Sequence, residues 1–179
     1  ASVLESNPSG VIVAPIFRDE TKRFAGDLAA AGIPYIFLDS KIEEADYMAY
    51  FGMPMYQSGV LCADILCGGR EIPETVYVVR RARDKWGLSD PTAARRSGFM
   101  NYMADNHPDA RIVNVFINPK DQKEIWDALD DAIGKGEGRK FIVMFNSRIH
   151  LVADYLEARG LADCRVIGFD ALDKNIAHL

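Results

Sequence analysis

The stretch Arg165-Val166-Ile167-Gly168-Phe169-Asp170 is a short apolar run that ends on a glycine, an aromatic ring and a carboxylate. Its β-branched residues predict a buried strand. In an open parallel α/β sheet, ligands bind outside the carboxyl ends of the strands, so the residues that follow a strand are candidates for ligand contact. The stretch therefore predicts a strand with a binding position at its end, and Phe169 and Asp170 are the candidate residues.

Two other apolar runs end on polar side chains. Residues 141–145 are followed by Asn146, and residues 35–38 are followed by Asp39. Asparagine donates and accepts hydrogen bonds and aspartate accepts them, which suits a ligand that carries hydroxyl groups. Both residue types are also common in turns after strands, where they hydrogen bond to the backbone, and this alternative stays open for Asn146 and Asp170.

The rest of the chain alternates short β-branched runs with amphipathic stretches. This alternation predicts βαβ units around parallel sheets, and hence an α/β fold with doubly wound parallel sheets. A capping-box sequence at 121–124, an aspartate-proline pair at 90–91 and Ser147 are predicted helix starts. Pro54 cannot lie inside a central strand, so we expect the chain to pass there from one lobe, residues 1–53, to a second, residues 54–179.

Composition excludes several classes of protein. The 179 residues are 49% hydrophobic, which is enough for a core, and the net charge of −5 argues against a dominant nucleic-acid surface. No run approaches the roughly 18 apolar residues of a membrane span. Three cysteines without a Cys-x-x-Cys pair favour a reducing compartment. We therefore expect a soluble, cytoplasmic protein without a membrane partner.

The sequence offers no pattern typical of catalysis or metal binding. The glycine-rich run at 134–140 follows a predicted helix and lacks the Gly-Lys-Ser/Thr ending of a phosphate loop. His107, His150 and His178 are widely scattered, and the cysteines lack metal-ligand spacing. We therefore expect no metal, no cofactor and no enzymatic activity.

The order and spacing of three motifs resemble the effector-binding core of the lactose-repressor (LacI) family and the related periplasmic sugar-binding proteins. These motifs are the helix sequence at 94–99, Asn146-Ser147 after a strand, and the Gly-Phe-Asp ending at 168–170. The resemblance implies the type I periplasmic-binding-protein fold, with an incomplete first lobe and most of the second. Both ends of the family fold lie outside the chain, and the exposed sheet edges predict a homo-oligomer.

The resemblance also assigns roles to five residues. It implies that Arg95 grips adjacent hydroxyls or a carboxylate with its planar guanidinium fork. It further implies that Asn146 and Asp170 hydrogen bond to sugar hydroxyls, and that Phe169 packs against a sugar ring. Asp39 corresponds to a position that contacts the ligand in some relatives and is structural in others.

Two departures from the family pattern bear on the ligand. The aspartate that relatives often carry just before a helix is replaced by Gly-Met-Pro-Met at 52–55, and a ligand-stacking aromatic residue is replaced by Asn-Pro-Lys at 118–120. A basic cluster suggests an anionic ligand such as a sugar acid or sugar phosphate, although a solvated basic loop balanced by nearby acids is the alternative. The cluster consists of Arg80, Arg81, Arg83 and Lys85.

The preferred function implied by the resemblance is the ligand-sensing core of a bacterial repressor. In the family, a small effector bridges two lobes, biases their arrangement and changes DNA affinity, while a helix-turn-helix segment absent from this chain contacts DNA. One alternative is a periplasmic sugar-binding receptor of a transport system. Another is a small-molecule enzyme on a similar doubly wound sheet.

Overall fold

A computed structural model describes residues 2–68, 73–82, 92–134 and 138–179. The chain divides into two compact units, Ala1–Pro54 and Met55–Leu179. Three features predicted from the sequence lie outside the described residues: the helix start at 90–91 and the basic residues Arg83 and Lys85.

The first unit contains a parallel sheet of three strands, in the order β1 Val11–Val13, β2 Tyr35–Leu38 and β3 Ala49–Phe51. Its one long helix packs Ala25 and Leu28 against Tyr35 and Phe37 of the sheet. Gly32 follows this helix with φ +67°, a conformation that glycine adopts without the penalty other residues incur. The other elements of this unit are a 3₁₀ turn, Leu4–Ser6, and the helix, α1 Arg18–Ala30.

The second unit contains four strands, β4 Thr75–Arg81, β5 Arg111–Ile117, β6 Lys140–Val143 and β7 Cys164–Ile167. They form a parallel sheet in the order β5-β4-β6-β7. Its helices are α2 Met55–Cys67, α3 Ala93–Asn106, α4 Gln122–Ala132, α5 His150–Ala158 and α6 Asp173–Ile176.

Both faces of the second sheet are covered by helices. In β4, Val76 and Val78 pack with residues of α2 and α3, whereas Tyr77 and Val79 pack with residues of α4 and α5. Successive strand residues point to opposite faces, so a strand buried on both faces is apolar without interruption. The predicted α/β class with doubly wound parallel sheets is confirmed.

Helices α2 and α3 approach closely through two glycines. A Cβ atom on Gly59 would lie 1.8 Å from the carbonyl oxygen of Arg95, and one on Gly98 would lie 2.0 Å from that of Tyr56. Only glycine therefore fits at these positions, because any side chain would collide with the backbone of the other helix. This contact fixes where α3 places Arg95.

Two predicted helix caps have different outcomes. The Asp121 side chain accepts a hydrogen bond from the Glu124 backbone N–H at 3.1 Å, so the predicted cap of α4 is confirmed. The prediction that Ser147 caps the next helix is wrong, because α5 begins only at His150 and Ile149 occupies the cap position without a side-chain bond. The chain after β6 first makes a turn held by Asn146, and the helix cap therefore lies two residues later than predicted.

None of the helices in the described part of the chain combines the length and apolar character needed to cross a membrane.

Candidate ligand-binding site

The predicted site residues of the second unit lie at the carboxyl edge of its sheet. Asn146 follows β6 and Asp170 follows β7, and these two strands are hydrogen-bonded neighbours. The chain winds in opposite directions on either side of the β4–β6 boundary, because β5 lies beyond β4 and β7 beyond β6. Ligands of doubly wound sheets bind at such a switch point, outside the carboxyl ends of the strands.

Arg95 joins the ends of β6 and β7. It lies in the first turn of α3 with only 7% of its surface exposed. Its Nη1 donates to the carbonyl of Phe145 at 2.8 Å, and its Cζ lies 3.7 Å from the ring centre of Phe169. The guanidinium therefore contacts the residue before Asn146 and the residue before Asp170, and it holds the two loops side by side.

A third contact anchors the same guanidinium to α2. Arg95 Nε donates to Ser58 Oγ at 3.0 Å, and Nη2 lies 3.3 Å from Met55 Sδ. These contacts give Arg95 an ordering role that the sequence alone did not reveal. Its direct contact with a ligand stays a prediction.

Asn146 combines a turn role with unused hydrogen-bonding capacity. Its Oδ1 accepts from the Arg148 backbone N–H at 3.0 Å, which is the turn contact considered as the alternative. In the described chain its Nδ2 has no hydrogen-bond acceptor, so two N–H donors remain at the edge of the sheet. The turn fixes the side chain, and its amide group can still bind a hydroxyl.

Asp170 presents its carboxylate to solvent. Its backbone has φ +67°, a left-handed conformation that costs energy for most residues and is tolerated best by asparagine and aspartate. Two positions earlier, a Cβ atom on Gly168 would lie 2.4 Å from Ile149 Cβ, so only glycine lets the start of α5 pack against this loop. Among the described residues the Asp170 carboxylate makes no hydrogen bond or ion pair, which leaves its oxygens available as acceptors.

Phe169 gives one face of its ring to Arg95 and lies 6.5 Å from the ring of Phe145. A cation over an aromatic face is favourable because the ring carries negative charge on its faces. The contact orients Phe169 at the base of the Asp170 loop. Its packing against a sugar ring stays a prediction.

Asp39 belongs to the first unit, at the end of β2. Its φ of +69° matches the conformation of Asp170. Its backbone N–H donates to the Phe51 carbonyl at 2.8 Å, and its own carbonyl accepts from the Tyr50 hydroxyl at 2.9 Å. These bonds fix the strand end, and the ligand contact predicted for Asp39 stays a prediction.

Asn175 connects the two loops of the candidate site, and this role was not predicted from the sequence. Its Nδ2 lies within hydrogen-bonding distance of three carbonyl oxygens, those of Ser147 at 3.1 Å, Phe169 at 3.2 Å and Asp170 at 2.8 Å. Its Oδ1 accepts from the backbone N–H of His150 at 3.2 Å, so a distant residue caps α5 in place of Ser147. A single asparagine inside a short polar segment carries no sequence signal that would have predicted this role.

Replacing Asn175 with alanine is expected to loosen both loops. The variant leaves three carbonyls and the first N–H of α5 without this partner, so we expect the free energy of unfolding to fall by about 1–2 kcal/mol. Ligand affinity should also fall, because the loops that carry Asn146 and Asp170 lose their common hydrogen bonds to Asn175. Chemical denaturation measures the first effect. The neighbouring exposed Lys174→Ala is the control, and equal stability of the two variants would contradict the bridging role.

A cavity of about 610 Å³ flanks the site between α5, β7 and α6. Asp170 and Asn175 belong to its lining, but most of the wall is apolar, with Ile149, Leu156 and Val166 among its residues. Such a wall offers few partners to hydroxyl groups. The open edge formed by Asn146 and Asp170 suits a polar ligand better.

The thiols near the site are unsuited to nucleophilic chemistry. Burial raises the pKa of Cys62 to about 12, although the positive charge of Arg95 opposes the effect, and burial raises the pKa of Cys67 to about 11. Both thiols therefore stay protonated at neutral pH, whereas the thiolate is the reactive form. Across the described residues, no three histidine, cysteine or acidic side chains are grouped as a metal site would require.

A doubly wound parallel sheet with hydrogen-bonding side chains at its carboxyl edge defines a small-molecule-binding α/β protein. The whole chain, residues 1–179, matches the family described as periplasmic binding protein domain. The chain belongs to this family. No protein with a curated functional description matches the sequence.

Three solved structures show the same likeness. A candidate LacI transcriptional regulator from Bacteroides fragilis is 30% identical, with a TM-score of 0.83 over 99% of this chain and 61% of that one. A sugar-binding protein of a sugar ABC transporter from Bacillus halodurans is 18% identical, with a TM-score of 0.81 over 98% of this chain and 59% of that one.

The third structure is an ABC transporter solute-binding protein from Agrobacterium vitis, bound to α-D-tagatopyranose. It is 20% identical, with a TM-score of 0.74 over 99% of this chain and 62% of that one. At identities of 18% and 20% the likeness shows the fold alone. The chain spans 59–62% of the length of these relatives.

Proposed function

We propose that this chain is the effector-binding part of a LacI-type transcriptional regulator, and that it binds a sugar or a related small polar molecule. The observation that carries the proposal is the contact of Arg95 with both Phe145 and Phe169. It brings the amide donors of Asn146 and the carboxylate of Asp170 to one edge of the sheet. The 30% identity with the Bacteroides fragilis protein favours a regulator.

The proposed site has the chemistry that hydroxyl groups need. A hydroxyl donates one hydrogen bond and accepts others, so it requires acceptors and donors together. Asp170 supplies acceptors and Asn146 supplies donors. In this proposal, the first unit is part of the family's first lobe and the second unit is most of its second lobe, and Asp39 is the first lobe's candidate contact.

Regulation follows from a difference in affinity. An effector shifts a protein between two states only by the difference in its binding free energy for them, and DNA affinity changes by the same linkage. The proposal includes a cytoplasmic, homo-oligomeric protein that contacts DNA through a helix-turn-helix segment of the intact molecule.

Asp170→Asn is expected to reduce affinity for the bound sugar about 10- to 100-fold. A hydrogen bond to a charged acceptor contributes about 1.5–3 kcal/mol, which corresponds to this factor. Asparagine tolerates the left-handed backbone, so the stability of the protein should not change. Calorimetric titration of the intact protein with a panel of neutral sugars and their acidic derivatives measures the effect.

The exposed Asp105→Asn in α3 is the matched control for this measurement. Equal affinities of Asp170→Asn and the unmodified protein would contradict the role of Asp170. Failure of every sugar in the panel to bind would contradict the proposed function itself.

A transport receptor for sugars is the second candidate. The solved structures of sugar-binding proteins, with TM-scores up to 0.81 among those described above, favour it. DNA binding by the intact protein separates the two functions. A mobility shift on DNA from its own promoter region that responds to the effector supports the regulator, and its absence together with tight sugar binding supports the receptor.

A further inference from the structure

A second cavity, of about 360 Å³, opens at the same edge of the second sheet, at the carboxyl ends of β4 and β5. Arg81 ends β4, Asn118 and Lys120 follow β5, and Arg148 comes from the loop after β6. This cavity borders the candidate site directly, because Asn146 Oδ1 accepts the backbone N–H of Arg148 at 3.0 Å. The two regions lie on either side of the switch point between β4 and β6.

The three cationic side chains that line this cavity can only donate hydrogen bonds. Arginine and lysine have donors and no acceptor, so Arg81, Lys120 and Arg148 offer N–H groups alone. Asn118 adds an NH₂ group, and its Oδ1 accepts from the Lys120 backbone N–H at 3.3 Å. Among the residues that the structure describes, no acidic side chain lines the cavity. A wall in which hydrogen-bond donors predominate fits a group that only accepts, such as a carboxylate or a phosphate.

Two of the three cations, Lys120 and Arg148, are exposed. In the part of the chain that the structure describes, the side chains of Lys120 and Arg148 form no salt bridge. Asp154, which shares a neighbouring cavity with Lys120, lies 2.9 Å from His178 Nε2 instead. The positive charges of Lys120 and Arg148 at one cavity repel each other, and a bound anion relieves that repulsion. This cluster stands out in a chain whose net charge is −5.

We infer that the effector carries an anionic group, and that this group binds between Arg81, Lys120 and Arg148 while its hydroxyls contact Asn146 and Asp170. The inference rests on the proposed function and narrows its ligand to a sugar acid or a sugar phosphate. It also explains why the position of the family's stacking aromatic holds Asn118-Pro119-Lys120: the cavity binds charge there instead of a ring face. Guanidinium groups bind carboxylates and phosphates through paired hydrogen bonds.

The test compares each neutral sugar of the panel with its uronic acid and its phosphate ester, by calorimetric titration of the intact protein. We expect at least one acidic member to bind about tenfold or more tightly than its neutral parent, and this preference to weaken at higher ionic strength. In Lys120→Gln/Arg148→Gln the preference should fall below about threefold, with neutral-sugar affinity unchanged. Lys22→Gln/Arg111→Gln removes the same charge elsewhere, from α1 and from the amino end of β5, and should keep the preference.

Two outcomes overturn the inference. One is equal affinity for neutral and acidic members, and the other is a preference that survives in Lys120→Gln/Arg148→Gln. Titration with inorganic phosphate, followed by nuclear magnetic resonance, distinguishes the source of the anion. Phosphate binding that needs Lys120 and Arg148, without any preference among the sugars, assigns the cavity to free phosphate and overturns the claim about the effector.

The failure of this inference differs from the failure of the proposed function. Suppose that neutral sugars bind, that Asp170→Asn lowers their affinity, and that acidic sugars bind no more tightly than neutral ones. Only the inference that the effector carries an anionic group is then wrong. If no sugar of either kind binds, the proposed function fails and the inference about its effector fails with it.

Discussion

Gly98→Ala should destabilise the second unit by about 3 kcal/mol, near the upper end of the cost of overpacking. The added Cβ would lie 2.0 Å from the Tyr56 carbonyl oxygen and 2.9 Å from its carbon, and backbone atoms cannot rotate away as a side chain can. Helices α2 and α3 must then separate. Denaturation followed by tryptophan fluorescence measures the effect, because Trp126 packs against the core of the second unit.

Two control variants isolate the helix contact. Ser97→Ala changes the exposed neighbour in the same helix and should leave stability within about 0.5 kcal/mol. Gly26→Ala lies inside α1, where an added Cβ meets nothing within 4 Å, so it should stabilise the first unit by about 0.5–1 kcal/mol. Circular dichroism follows this second control. A Gly98→Ala protein as stable as Ser97→Ala would show that the helices do not pack as closely as the structure has them.

Arg95→Lys is expected to have the largest combined effect on stability and binding. Lysine keeps the charge but lacks the planar fork that reaches the Phe145 carbonyl and Ser58 Oγ together, and it loses the flat contact with Phe169. Leaving buried polar groups without partners costs about 1–3 kcal/mol each, so we expect unfolding free energy to fall by about 2–3 kcal/mol. Ligand affinity should fall about 100-fold, because the loops of Asn146 and Asp170 lose their common support.

The pair of measurements separates two roles for Arg95. Denaturation reports its internal contacts, and calorimetric titration reports ligand binding. Arg111→Lys is the control, because it makes the same arginine-to-lysine substitution at the exposed amino end of β5. Lost affinity with unchanged stability would contradict the ordering role and assign Arg95 to direct ligand contact instead.

The sequence alone predicted which strand ends carry polar groups. The apolar runs before Asn146 and before Asp170 each predict a strand from their composition. The polar residue at the end of each strand then follows from its position in the sequence. The fold class could also be predicted, because short stretches of sequence are enough to show the alternation of strands and helices. The place of Asn146 in a turn was foreseen as an alternative, and the structure contains that turn.

Tertiary structure alone decided which of these residues lie close together at the carboxyl edge of the sheet. Arg95 meets Phe145 across 50 positions, and Asn175 meets the start of α5 across 25, so their roles depend on which strands become neighbours. The meeting of Lys120 with Arg148 around one cavity has the same origin. Local patterns specify elements because backbone periodicity acts over a few residues. Partners far apart in the chain are set only when the sheet order β5-β4-β6-β7 forms, because long-range packing has no local signature.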